Sequence, residues 1–433
     1  MSKISPYIIL FMFLVVICFI ENSTSISESK VLGKTLYVGG GEPGNYTYIQ
    51  DAVENASDGD TVFVYKGVYH ENIIVDKSVK LMGEDKYSTI IDADKQGDGV
   101  KIIANNVTFC NFTVRNTGIG NSEEYLWNAA IRIHFSDRNV IENVICEDTN
   151  YGIWTEYSDD NIIRNNVFYA FYDGISLTGK DNFLRNNSMF NSSISLGGSS
   201  ISMLSHDIDT TNTVNRKPVY YYKNCIGITV PKDAGEVILV NCRGCIISNL
   251  TISKSTDGVE LFFSDENVII NNRINNVTDF GIKLQESNSN IIQNNNISYS
   301  PFGIGFVNSS VTPPQSFQEE ANCEYNIIKY NTFYSNIYFG LFIIGSNYNE
   351  IYDNNFIGNK EDARFIISYG NRWDGNYWDK WVGLKYPLLK KFPKIIYGSQ
   401  IKKLWWMNLW FNLDWHPADK AYDKEGLGGL DKT

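Results

Sequence analysis

Positive charge is thin in this chain of 433 residues: 37 Lys and Arg stand against 49 Asp and Glu, for a formal net charge of −12. No Lys/Arg run is long enough to track phosphates, so nucleic acid is not an expected partner. Alanine is scarce and the repeated segments show no helical apolar period, which argues against a helical architecture. The "CRGC" at Cys242–Cys245 has metal-ligand spacing, but no second pair completes a four-ligand site. Long hydrophobic runs are absent after Tyr7–Ile20, an apolar segment preceded by one Lys and followed by polar residues. Its length suits a signal-peptide core, so residues 1–30 read as a signal peptide or, if uncleaved, an N-terminal anchor. Contact with a membrane is expected only through that segment, and the location is secreted, cell-surface or periplasmic. The six cysteines beyond that segment, Cys110, Cys146, Cys225, Cys242, Cys245 and Cys323, permit disulfides without establishing them.

What the chain has in abundance is asparagine beside isoleucine. "NIIRNN" stands at Asn161–Asn166, "NFLRNN" at Asn182–Asn187, "NVIINN" at Asn267–Asn272 and "NIIQNN" at Asn290–Asn295. Aligned on the central apolar residue, Phe109, Ile141, Ile163, Leu184, Ile247, Ile269, Ile292, Ile328 and Ile351 form one column. Two residues later come Asn111, Asn143, Asn165, Asn186, Asn249, Asn271 and Asn294. A period near 22 residues, built from short strands and turns, predicts an all-β chain folded as a right-handed parallel β-helix. Coils stacked at the strand spacing of about 4.8 Å let a buried Asn bond the amide of the Asn one coil away. The column from Asn111 to Asn294 is therefore expected to be a buried structural ladder rather than a catalytic set.

The ends fit the same architecture. Thr47 and Gln50 have capping-box spacing ahead of a short amphipathic helix that would cover the first coil. Tryptophans crowd "NRWDGNYWDKW" and "LWWMNLWFNLDWHP", so residues 371–433 read as an aromatic-rich C-terminal cap and tail, with exposed sugar-binding aromatics as the competing use. The β-helix is expected over 34–370, with insertions near 116–128, 206–243 and 307–323.

In the strand that opens with Gly, residues two and four after it should point outward. This sets Arg132 beside Trp154 and His134 beside Glu156, one coil apart, with Ser176, Thr178, Glu260, Phe262, Lys283 and Gln285 in the same outward set. Trp presents a stacking face, Arg a fork for carboxylates, and His with Glu an acid/base pair. The alternative is a solvated sheet face with incidental neighbours. The loop before that strand would wall the patch with Glu123, Glu124 and Tyr125. A second candidate is "SHDIDTTN", with His206, Asp207 and Asp209. Asp137, Asp159 and Asp265 recur at one turn and read as Asx-turn residues, or as carboxylates along which Ca²⁺ would bind. No other cofactor is expected.

The opening "DGDTVFVYKGVYHENIIV", the Asn-rich coils, "SHDIDTTNTVNRKPVYYYKNCIGITVPKDAGEVILVNC", "GNYWD" and "FNLDWHPADKAYD" together resemble the NosD-like β-helix family, within the carbohydrate-binding and sugar-hydrolase (CASH) group. The resemblance covers nearly everything after Lys34. It implies export and a right-handed β-helix; the family name comes from copper delivery, although many members are surface proteins with no assigned activity. Copper finds little support here, since the four histidines, His70, His134, His206 and His416, form no His-x-His motif and the methionines do not cluster. The paired-Asp and Gly-His-Gly signatures of polygalacturonases and the Asp-Pro-His-Asp of alginate epimerases are also missing. The expectation is an exported or surface protein that binds polysaccharide, a surface glycan or another surface partner along its sheet face. The alternatives are a polysaccharide lyase, hydrolase or epimerase, and a periplasmic copper-delivery factor.

Overall fold

A computed structural model describes residues 33–120, 127–307, 320–381, 392–400, 407 and 410–422. The chain is a parallel β-helix, with short strands hydrogen-bonded in register to strands of the neighbouring coils. Ile141 lies beside Phe109 and Ile163, and Ile269 beside Ile247 and Ile292, so the aligned apolar column is the core itself. The one described helix, Ile49–Asn55, buries Ile49, Ala52 and Val53. Its expected Thr47 capping box does not form. Glu71 instead accepts the free N–H groups of Ile49 and Gln50 at 2.8 and 2.9 Å, a carboxylate placed at the positive end of the helix.

The buried Asn ladder is real, but apart from one half-buried rung of the expected column, Asn143 Nδ2 to Asn111 Oδ1 at 2.7 Å, it runs through other asparagines. Asn111, Asn143, Asn165, Asn186, Asn249, Asn271 and Asn294 all hold φ between 53° and 65°, at a corner that is exposed or half-buried. Asparagine suits that left-handed conformation, which explains its recurrence there. The stacked side chains are the first and last of each hexamer. Asn267, Asn290, Asn326, Asn349 and Asn371 form one ladder and Asn272, Asn295, Asn331, Asn354 and Asn376 another, each amide bonding the next at 3.0–3.1 Å. Asn295 shows how the accounts close. Its Oδ1 accepts the backbone and side-chain N–H of Asn272, and its Nδ2 donates to Asn331 and to the Ile269 carbonyl. Asp414 terminates the second ladder, its carboxylate accepting from Asn376 at 3.0 and 3.1 Å and from the Trp378 indole at 3.0 Å.

The segment 206–243 is not a simple excursion from one continuous helix. It ends one stack of coils and starts another. Thr213–Val214 and Lys217–Lys223 pair antiparallel around Asn215 and Arg216, at φ 49° and 67°, the conformation of a tight two-residue hairpin. Lys217–Lys223 then pairs parallel with Glu236–Val240, and the second stack grows from there. The sheet changes its inner face at this hairpin. Val219, Ile238, Val240 and Phe262 join the first core, whereas Val237, Leu239, Val259 and Leu261 line the second. One sheet thus separates two cores and covers the last coil of the first.

This arrangement buries side chains that the outward pattern assigns to solvent. Glu260, Phe262, Lys283 and Gln285 are at most 3% exposed. Gln285 donates to the Gly198 carbonyl at 2.8 Å, and Thr256 accepts from Ser193 N at 3.0 Å while donating to the Tyr172 carbonyl at 2.7 Å. Lys283 Nζ lies 3.1 Å from Glu260 and 4.0 Å from Asp257, all three enclosed. Burial pulls the Lys283 ammonium pKa down, but the surrounding carboxylates outweigh this and hold it above its ordinary value. Asp173, also enclosed, is pushed up to about 7 by burial and by the nearby Asp257 carboxyl. At the far end Trp378 stacks on Phe356 at 4.3 Å, and the antiparallel pair Lys394–Ser399 and Trp410–Asp414 closes the second stack.

Two expectations follow. Asn295→Ala strands donors and acceptors of its ladder neighbours and should cost about 2–4 kcal/mol, while Asn294→Gly at the left-handed corner should change stability by less than about 0.5 kcal/mol; chemical denaturation distinguishes them. Because folding raises the Asp173 pKa, its protonated form is favoured in the fold. Its contribution is fully present below the ordinary carboxylate range, near pH 4, and is lost as pH rises through about 7. Melting temperatures of Asp173→Asn and the parent should therefore diverge progressively between pH 4 and 8, with the variant losing less stability over that range.

Candidate functional site

The outward pattern holds on the first stack. Arg132 pairs in register with Trp154, and His134 with Glu156, on the adjacent strands Ala129–His134 and Tyr151–Glu156. Ile131, Ile133, Ile153 and Thr155 between them are buried, which fixes the alternation. All four outward residues are half-buried. Glu156 Oε2 accepts from His134 Nδ1 at 2.7 Å and lies 3.6 Å from Arg132 Nη1. Because a carboxylate only accepts, His134 carries its proton on Nδ1 in this pair, and neutral His134 presents Nε2 as a bare acceptor. Neither Nε2 of His134 nor Oε1 of Glu156 has a hydrogen-bond partner among the described residues.

Asp98 completes the cluster. Its carboxylate takes Arg132 Nε at 2.6 Å and Nη2 at 2.9 Å, a two-point fork, and Oδ1 also accepts the Ala129 N–H at 2.8 Å. The guanidinium lies 4.2 Å from the Trp154 ring centroid, and Tyr151 approaches the same indole at 5.0 Å. Trp154 is therefore a wall of the site with neighbours of its own rather than an open platform. The exposed rings are Trp127, Phe135 and Tyr157, and the last two stack on each other at 5.3 Å. Tyr151 is buried against the second stack, where burial and the Asp173 and Asp279 carboxyls hold its phenol well above the ordinary range. Asp98 was not among the expected residues, because it precedes the strand Val100–Ile102 and outward alternation along that strand does not point to it. Glu123, Glu124 and Tyr125 lie outside the described residues.

The second expected candidate does not assemble. His206 is buried, and its pKa falls to about 3 through burial and the Lys223 charge. Asp207 and Asp209 turn outward and clamp Arg185 at 2.7 and 2.9 Å. Asp137, Asp159 and Asp265 do not close the expected Asx turns: each instead accepts a backbone N–H from the neighbouring coil at 2.7–2.9 Å, an inter-coil rung. The six described cysteines are free thiols. Burial raises the thiol pKa at Cys110, Cys146, Cys242 and Cys323.

A parallel β-helix with a charged and aromatic cluster on one strand face defines the class of protein. The chain belongs to the NosD family, described as periplasmic copper-binding protein, which matches over residues 53–228 and again over 205–383. The two matches overlap across the hairpin that joins the stacks. No curated protein matches the chain. Among solved structures it is similar to the catalytic domain of a GH87 α-1,3-glucanase, at 14% identity and TM-score 0.37, covering 76% of this chain and 66% of that one. It is also similar to the A-module of the Azotobacter vinelandii mannuronan C-5 epimerase AlgE4, at 15% identity and TM-score 0.30, covering 73% and 91%. An alginate lyase from Paenibacillus sp. gives 11% identity and TM-score 0.28, covering 78% and 95%. At these identities the likeness concerns the fold alone.

The donors present do not fit the copper of the family description. The one described group of three ligand-type side chains with ligand atoms close together is His70, Asp92 and Asp94. It offers two hard carboxylates, and Asp92 is already bound to Arg115 at 2.9 Å and Asn116 at 2.8 Å. No thiol, the soft ligand that Cu(I) favours, belongs to that group, and burial disfavours the thiolate at Cys146 and Cys323. No described helix is long and apolar enough to cross a membrane.

Proposed function

We propose that this protein is exported and binds a polysaccharide or surface glycan along the strand face of its first stack. The observation that carries the reading is the convergence of Asp98, Arg132, His134, Trp154 and Glu156, from three coils, into one half-exposed cluster flanked by open aromatic rings. The ionic groups largely neutralise one another, so the cluster is suited to hydroxyl-rich ligands rather than to a strongly charged one. Glu156 Oε1 and His134 Nε2 would accept sugar hydroxyls, and Phe135, Tyr157 and Trp127 would cover the apolar faces of sugar rings. The segment 1–30 would supply export or anchoring.

A second reading, turnover of the polymer, is favoured by one specific feature. The His134 Nδ1–H···Glu156 pair orients Nε2 as a base toward the outside of the coil. The two readings separate in one experiment. Affinity electrophoresis and product analysis would be run on neutral and uronate polysaccharides with the parent, Phe135→Ala/Tyr157→Ala and Glu156→Gln. Binding predicts retarded migration that weakens five- to thirty-fold in the aromatic variant, about 1–2 kcal/mol, with no shortened products from any form. Products that vanish in Glu156→Gln establish an enzyme instead. Neither retardation nor products with any polymer refutes both.

A further inference from the structure

A second concave site lies on the other stack, away from the cluster just described. Glu350–Tyr352 and Arg372–Asp374 are adjacent parallel strands, with Glu350 beside Arg372 and Tyr352 beside Asp374. Ile351 and Trp373 between them point into the core, so all four flanking side chains face outward. They border a hollow of about 380 Å³ whose remaining lining is Asp353, Gly375 and His416. That volume lies within the range of small-molecule sites.

Each wall is held by an identifiable contact. His416 Nδ1 bonds Asp374 Oδ1 at 2.7 Å, and Arg372 approaches the other Asp374 oxygen at 3.6 Å. Tyr422 donates to Asp353 Oδ1 at 2.8 Å. Gly375 is part of the lining: its φ is 71°, and a Cβ there would sit 2.5 Å from Asp353 Oδ1, so a larger residue would displace that carboxylate. The backbone of His416 is fixed by Asp414, the residue that ends the Asn ladder.

The spacing of the acidic groups indicates the ligand. Glu350, Asp353 and Asp374 are not among the described groups whose ligand atoms lie close enough together to share an ion. They are placed to meet different atoms of a larger molecule. Three carboxylates against Arg372 and a His416 already bound to Asp374 also disfavour a polyanion. What suits separated acceptors, a guanidinium donor and a tyrosine is a ligand with many hydroxyls and no negative charge.

We propose that this hollow binds a neutral saccharide unit, with the Glu350, Asp353 and Asp374 carboxylates accepting its hydroxyl protons and Arg372 donating to its oxygens. The site is independent of the strand face on the first stack. The test uses the full chain and saturation-transfer NMR with neutral gluco-, xylo- and manno-hexaoses, and with a galacturonate hexamer as the anionic control. The parent should show transfer from at least one neutral hexaose, with no transfer from the galacturonate that depends on Glu350 or His416. Glu350→Gln and His416→Ala alter exposed side chains and should each weaken the neutral ligand at least five-fold, while Phe135→Ala/Tyr157→Ala leaves this component unchanged. The proposal is overturned if no neutral hexaose binds, if binding survives both variants, or if all of it disappears with the first-stack variant.

Discussion

The hydrogen bond from one asparagine amide to the next, one coil away, is the interaction on which the rest of this structure depends. A solenoid must turn its backbone sharply at every corner, and the turn brings polar groups into the core. A stacked Asn satisfies them with a side chain that also satisfies its own neighbours, so burial leaves no group unpaired. The same bond sets register. With the Asn139 N–H donated to the Asn161 side chain and the Asn161 N–H to that of Asn182, the coils are held in step, the register in which Arg132 lies beside Trp154 on the preceding strands. Where the ladder stops, a carboxylate, which has no N–H and so needs no further acceptor, takes its place at Asp414, and that residue also fixes the backbone at His416.

Much of the fold was legible because its period is written in large apolar residues. The identity of the ladder was less so. In "NIIRNN" three asparagines serve two purposes: Asn161 and Asn166 stack in the core, whereas Asn165 holds φ 59° at an open corner. Both environments favour asparagine, so composition alone does not separate them. The reversal at Asn215 and Arg216 was hidden for a different reason. A two-residue hairpin leaves a faint signal, and its consequence, the burial of Glu260 and Lys283, depends on coils distant in sequence. Outward alternation was right for Arg132, His134, Trp154 and Glu156 because nothing covers that part of the face completely. It failed for Glu260, Phe262, Lys283 and Gln285, on the second stack, because the first stack covers them.

The junction also bears on the site. Tyr151, which stands against Trp154, is enclosed by the same packing that enclosed Asp173 and Asp279. The cluster is thus backed by two stacks rather than one, and rigid backing is what a binding surface needs to keep ordering costs low. The duplicated family match has a structural counterpart here. One unit ends and another begins at the hairpin, and a single sheet lends one face to each core.

The central claim, that the chain folds back so that two stacks pack together, is tested most directly by a cysteine pair at Ser193 and Thr256. The backbone N–H of each lies 3.0–3.2 Å from the other's hydroxyl. In one uninterrupted helix, 63 residues would separate them by three coils, about 14 Å, well beyond disulfide reach. Ser193→Cys/Thr256→Cys, oxidised in the folded state and mapped by peptide mass, should yield the 193–256 disulfide. If both thiols stay reduced in a folded protein and no linked peptide forms, the two stacks are not packed as described.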